Sequence, residues 1–183
     1  LRRKSCFCLL RRESVGEARM GNNLIIQATL GCSANYCTFC SMYKSKSFTA
    51  RPIEDVFADI DVAATEWPGA DRVLLADGDA LVLPMDDLKT ILNRLDEALP
   101  NLTRVSAYAT PKNLIDKTVG ELTELKQCKL SLVYMGIESG STTILQRVIK
   151  GASSRKLMPW LWIGPVIQVL KYLPRSSLGW RAR

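Results

Sequence analysis

The sequence contains no histidine. That absence removes Ser-His-Asp and Cys-His catalysis and every zinc site that uses an imidazole ligand. It also has no uninterrupted run fit to cross a bilayer. The longest apolar stretch, Leu157 to Leu173, is broken by Pro159, Pro165, Gln168 and Lys171, so no membrane partner is expected. The basic segment at the N-terminus is too short for a secretory signal with a cleavage site. Acidic residues are missing after Glu138, and residues 151–183 hold none. The net charge of +7 is therefore unevenly carried: residues 1–20 hold +4, residues 151–183 hold +6 and residues 21–150 hold −3. Because the excess sits in the two least patterned parts, charge alone is a weak argument for nucleic-acid binding.

What is present is one domain's length of chain with a buryable core pattern and six cysteines. Clustered cysteines in such a chain argue for a reducing, cytoplasmic setting and for metal binding rather than disulfides. The chain opens on Leu1 and is treated as a candidate fragment. Residues 1–20 show no period and are expected to be a disordered basic leader, with Cys6-x-Cys8 as a minor alternative metal site.

From residue 21 the pattern is regular. An apolar strand, Leu24 to Leu30, runs into Gly31-Cys32-Ser33-Ala34-Asn35-Tyr36-Cys37-Thr38-Phe39-Cys40. Arg51-Pro52 opens a helix with Ile53, Val56, Phe57, Ile60, Ala64 and Trp67 on one face. A strand over Arg72–Ala76 ends in Asp77-Gly78-Asp79. Asp86 is a candidate cap for a second helix with Leu88, Ile91, Leu92, Leu95 and Leu99 inward. Thr103–Ala109 is a third strand, and Thr110-Pro111 starts a third helix with Leu114, Ile115, Val119, Leu122 and Leu125 inward. Lys129–Met135 is a fourth strand, followed by Gly136-Ile137-Glu138-Ser139-Gly140-Ser141 and a fourth helix. Four β-α units predict an α/β fold with a parallel sheet, its functional loops at the carboxyl ends of the strands. After Gly151 the pattern breaks. A fifth strand through Leu161–Val169 is opposed by Pro165. Residues 151–183 are expected to be an atypical basic tail, truncated or translated out of frame.

Three cysteines spaced C-x4-C-x2-C at a strand end are donors for zinc or an iron–sulfur cluster. Zinc would need a further ligand from Cys6, Cys8, Cys128 or a carboxylate. A cubane cluster on three thiolates leaves one iron open to a substrate or cofactor.

These residues resemble the cluster motif of the radical S-adenosylmethionine (radical SAM) superfamily, in particular its coproporphyrinogen-oxidase-like and Elp3-like members. The resemblance covers about residues 22–150. It implies a partial (βα)6, TIM-like barrel, of which about four units are recognisable here. It implies a [4Fe–4S] cluster on Cys32, Cys37 and Cys40, and S-adenosylmethionine bound beside it. Phe39 takes the place of the motif's aromatic residue near adenine. Gly78 or Asp79 is placed to accept from the methionine ammonium, and Glu138 and Ser139 approach the ribose and carboxylate. The implied reaction is reductive cleavage to a 5′-deoxyadenosyl radical, which abstracts hydrogen from a small-molecule or RNA substrate. An electron donor such as flavodoxin or ferredoxin is the implied partner. The first spacing, x4, departs from the commoner x3. Ala34 stands where near relatives often have histidine, and strand-five adenine contacts have no counterpart in residues 151–183.

Each position has a plainer role. Asp77-Gly78-Asp79 is also an ordinary turn, and Glu138-Ser139-Gly140-Ser141 also a helix cap. Tyr36, Met42 and Tyr43 are expected to pack around the loop, and Lys44, Lys46 and Arg51 to form a solvated face. Thr110 is expected to be a helix cap and Cys128 a core thiol. The competing function is a zinc- or cluster-bearing module that contacts RNA through its basic ends.

Overall fold

The computed structural model describes residues 23–38, 43–136, 139, 141–147 and 171–175. In chain order its elements are β1 (Asn23–Gln27), β2 (Thr29–Leu30), β3 (Thr49–Ala50), α1 (Ile53–Glu66), β4 (Arg72–Ala76), α2 (Met85–Ala98), β5 (Arg104–Tyr108), α3 (Pro111–Ile115), α4 (Val119–Gln127), β6 (Leu130–Gly136), α5 (Thr142–Arg147) and β7 (Lys171–Arg175). A single 3-10 turn, Ala80–Val82, lies between β4 and α2. Five strands form one sheet in the order β1-β4-β5-β6-β7, and every pairing is parallel. A parallel neighbour requires a long return connection, which the intervening helices supply. The α/β fold with a parallel sheet expected from the sequence is what forms.

Side chains alternate between faces along each strand. Leu24, Ile26, Val73, Leu75, Val105, Ala107, Val133 and Met135 belong to the main core, together with Val56, Ile60 and Ala63 of α1, Leu88, Ile91, Leu92 and Leu95 of α2 and Leu122 and Leu125 of α4. The opposite face is differently made. Ile25 pairs with Leu74, Leu74 with Ser106, Ser106 with Leu132 and Tyr108 with Tyr134. On it Ile25, Gln27, Leu74, Ala76, Tyr108 and Tyr134 are only partly covered. The Tyr108 and Tyr134 rings lie 5.7 Å apart, tilted at 43°.

Three local expectations are corrected. The first strand does not run unbroken to Leu30: it bends at Ala28, whose N–H donates to the Ala76 carbonyl and whose carbonyl accepts from Arg51 N–H at 3.2 Å. Thr29 and Leu30 then pair antiparallel with Ala50 and Thr49, so a short ribbon closes the base of the cysteine loop. Asp86 does not cap α2. Pro84 precedes the helix, and Asp86 and Asp87 lie in its first turn, where negative charge suits the helix dipole. The third helix is two helices. Thr118 starts α4 with a reciprocal capping box to Glu121, and this turn leaves Ile115 43% and Val119 48% exposed rather than inward. Within residues 151–183, Lys171–Arg175 forms a strand, β7, whereas the stretch Leu161–Val169 lies outside the described residues. Among the described residues β7 is the sheet's edge, a place that accommodates Pro174 where a central strand would not.

Candidate metal and cofactor site

The cysteine loop rises from the carboxyl end of β1, beside the end of β4. Gly31 begins it with φ +74°, a left-handed conformation that glycine adopts without steric cost. Cys32 is half-buried and Cys37 buried. The Cys37 N–H donates to the Ala34 carbonyl at 3.0 Å, folding the intervening residues into a turn that absorbs the fourth spacer residue. Cys40 and Phe39 lie outside the described residues, as do Met42, Glu138, Cys6 and Cys8.

Asn35 ties the two limbs of the loop together. Its Nδ2 donates to the Tyr43 carbonyl at 2.8 Å and the Lys46 carbonyl at 2.9 Å, while its own carbonyl accepts from Lys44 Nζ at 2.5 Å. One amide that holds two carbonyls three residues apart acts as a strut across the loop. Sequence reasoning gave Asn35 no role. Its signal was an amide between two metal-ligand candidates, a residue type suited to bonding nearby backbone.

The turn after β4 meets this loop directly. The Gly78 N–H donates to the Gly31 carbonyl at 3.0 Å. Asp77 Oδ2 accepts from Gly31 N–H at 3.3 Å and from Lys46 Nζ at 3.4 Å. The Tyr43 hydroxyl is pushed well above the usual phenol range, chiefly by burial and then by its hydrogen bond to Asp77. Tyr108 and Cys32 are further electrostatic neighbours of that hydroxyl. Asp79 is fully buried, at 0% exposure. Its Oδ1 accepts from Ser33 N–H at 2.9 Å, and its Oδ2 accepts from the Ser33 hydroxyl and from Asn113 Nδ2 at 3.2 Å. Asn113, also buried, is oriented by Thr110, whose hydroxyl donates to Asn113 Oδ1 at 2.7 Å and accepts from Asn113 N–H. Thr110 therefore caps α3 as expected. Ser33 and Asn113 were missed in the sequence because their partner is distant along the chain.

Ser139 is buried, and its hydroxyl accepts from Ser141 N–H at 3.0 Å, in the turn leading into α5. Gly78, Asp79, Cys32 and Cys37 are thus brought to one rim, with Ser139 after β6, two strands along the sheet from β4. Some expected surroundings differ. Tyr36 is 53% exposed and does not pack on the loop. Arg51 is no solvated charge: it pairs with Asp59 at 2.5 Å and donates to the Gln27 carbonyl at 2.8 Å. Lys46 stands over the Tyr43 ring at 5.7 Å, and Cys128 packs against the core away from this rim, after α4.

Residues 26–160 match the family model of the radical SAM superfamily. The chain belongs to that superfamily. It is 32% identical over 145 residues to a protein of Methanocaldococcus jannaschii named "Putative methylthiotransferase MJ0865", a match over 74% of this chain and 31% of that relative. The fold is similar to that of the cobalamin-dependent S-adenosylmethionine radical enzyme OxsB, with TM-score 0.64 and 18% identity over 82% of this chain and 23% of that one. It is also similar to methylornithine synthase PylB, with TM-score 0.56 and 13% identity over 83% of this chain and 42% of that one. The chain therefore spans about a third of the curated relative and a smaller share of OxsB. Among the described residues, no helix is long and apolar enough to cross a membrane.

Proposed function

We propose that this chain carries the cluster- and S-adenosylmethionine-binding part of a radical SAM enzyme. The observation that carries the reading is the seating of Cys32 and Cys37 in a closed loop on the carboxyl rim of a parallel sheet, where such folds place their chemistry. The donor set fits a [4Fe–4S] cluster. Thiolates are its usual ligands, and Cys32, Cys37 and Cys40 would hold three irons. Gly78 adds to the fit. Its missing side chain lets the β4 turn lie directly on Cys32. When bound, the cluster and S-adenosylmethionine supply the electron transfer and sulfonium cleavage that give a 5′-deoxyadenosyl radical.

The chain's own residues would position and enclose these groups. Phe39 would pack beside adenine. Glu138 would accept from ribose hydroxyls, and Ser139 would donate toward the carboxylate. The Gly78 main chain would accept from the methionine ammonium. The partly covered sheet face bearing Tyr108 and Tyr134 lies below the rim and forms a wall of the substrate space. A small-molecule or RNA substrate and a flavodoxin- or ferredoxin-like electron donor complete the reading, in a cytoplasmic setting.

Anaerobic reconstitution with iron and sulfide tests it. About four irons per chain are expected, as the cluster requires, and reduction with S-adenosylmethionine present should release 5′-deoxyadenosine. Stoichiometric zinc without a cluster would defeat the enzyme reading and favour the binding module. The name of the Methanocaldococcus relative supports including methylthio transfer in the product screen.

A further inference from the structure

All three residues of the turn after β4 engage the cysteine loop, and they do so with different chemistry. Gly78 contributes a main-chain bond and a close approach; Asp77 receives Gly31 and Lys46; Asp79 receives Ser33 twice. We propose that this turn is a clamp that presets the cysteine loop for its metal, with Asp79 as the positioning residue that locks it. The purpose assigned to the clamp rests on the cluster reading above; its geometry does not.

Burial decides the role of Asp79. A carboxylate removed from water is tolerated only when donors surround it. Asp79 has three, and it exposes no surface through which a ligand ammonium would reach it. Its donors come from two separate parts of the chain, the loop through Ser33 and α3 through Asn113. The Ser33 N–H belongs to the peptide that joins Cys32 to Ser33, so holding it fixes the peptide plane next to the ligand thiol. The line of support runs from Thr110 through Asn113 and Asp79 to Ser33, and ends at Cys32. A site held in place before its ligand arrives avoids the ordering cost on binding.

Hydrogen exchange on the metal-free full chain tests the clamp. Asp79→Ala is expected to speed exchange of the amides in residues 31–37 by about tenfold or more, the scale set by losing hydrogen bonds to a charged group. Amides of β5 and α2 should keep their rates. Because Asp79→Ala removes a buried charge and risks unfolding, Ser33→Ala and Asn113→Ala serve as milder arms. Both should accelerate the same amides by a smaller factor. In the iron-loaded protein, Asn113→Ala should shift the electron paramagnetic resonance line of the reduced cluster while leaving the iron count near wild type. Unchanged loop exchange in both milder variants overturns the clamp. So does acceleration spread evenly over β5 and α2, or an unshifted resonance line. A chain that protects the loop in this way but never takes up iron defeats the cluster reading and leaves the clamp standing.

Discussion

Gly78 and Cys32 are in direct contact. A Cβ on Gly78 would lie 2.6 Å from Cys32 Cβ and 2.7 Å from Cys32 Cα, and would run into the Gly31 carbonyl oxygen. These neighbours are backbone or one bond from it, so no flexible tip can swing aside. Gly78→Ala should force residues 31–32 off the sheet rim and cost about 1–3 kcal/mol, as overpacking does. Denaturant unfolding of the metal-free protein measures the loss. The same variant should retain less iron after reconstitution and desalting.

Asn35→Ala should loosen the loop while sparing the sheet. It removes two hydrogen bonds to partly exposed carbonyls, a local penalty of about 0.5–1.5 kcal/mol. Limited proteolysis should show faster cleavage within residues 36–46, with little change in the unfolding midpoint of the core.

Cys37→Ala and Cys128→Ala should separate cleanly. Cys37 is buried in the loop, whereas Cys128 ends α4 and packs on the core. Reconstituted Cys37→Ala should lose the cluster, and Cys128→Ala should retain about as much iron as wild type. Iron and sulfide assays, with visible absorbance, check both.

The capping box at α4 predicts a pH dependence. The Glu121 carboxyl is held below its ordinary value of 4.5, first by the Thr118 N–H and then by the Thr118 hydroxyl. A depressed folded value means that the contribution to stability is present above pH 4.5 and is lost as pH falls through the folded value. A carboxyl titration followed by NMR should show Glu121 ionising below the other exposed glutamates. Thr118→Ala should return it toward the ordinary range.

The larger plan of the fold was legible because it depends on periodicity. Strand β4 lies at Arg72–Ala76, as the apolar run predicts, and the helical stripe of Leu88, Ile91, Leu92 and Leu95 is the buried face of α2. The errors came where a polar interaction overrode the apolar pattern. Val119 has the right spacing to face inward, yet Thr118 and Glu121 restart the helix and turn it to solvent. That signal, a threonine followed three residues later by glutamate, was available in the sequence. Strand β7 was not read from the sequence: a proline such as Pro174 is kept out of a central strand but not an edge one, and local sequence does not say which a strand will be. The rim position of Gly78 and Asp79 was legible from topology alone. The roles of Ser33 and Asn113 were not, since Asp79 is 46 positions from Ser33 and 34 from Asn113.

The ribbon of β2 and β3 gives the cysteine segment the character of a cassette. Its two ends are pinned side by side, so residues 31–48 enter and leave the sheet at one point. Their internal length can change without altering the register of β1 on β4. An engineer exchanging this segment with that of another superfamily member would need to carry over two features: the ribbon that closes it and the Asp77-Gly78-Asp79 socket into which it plugs.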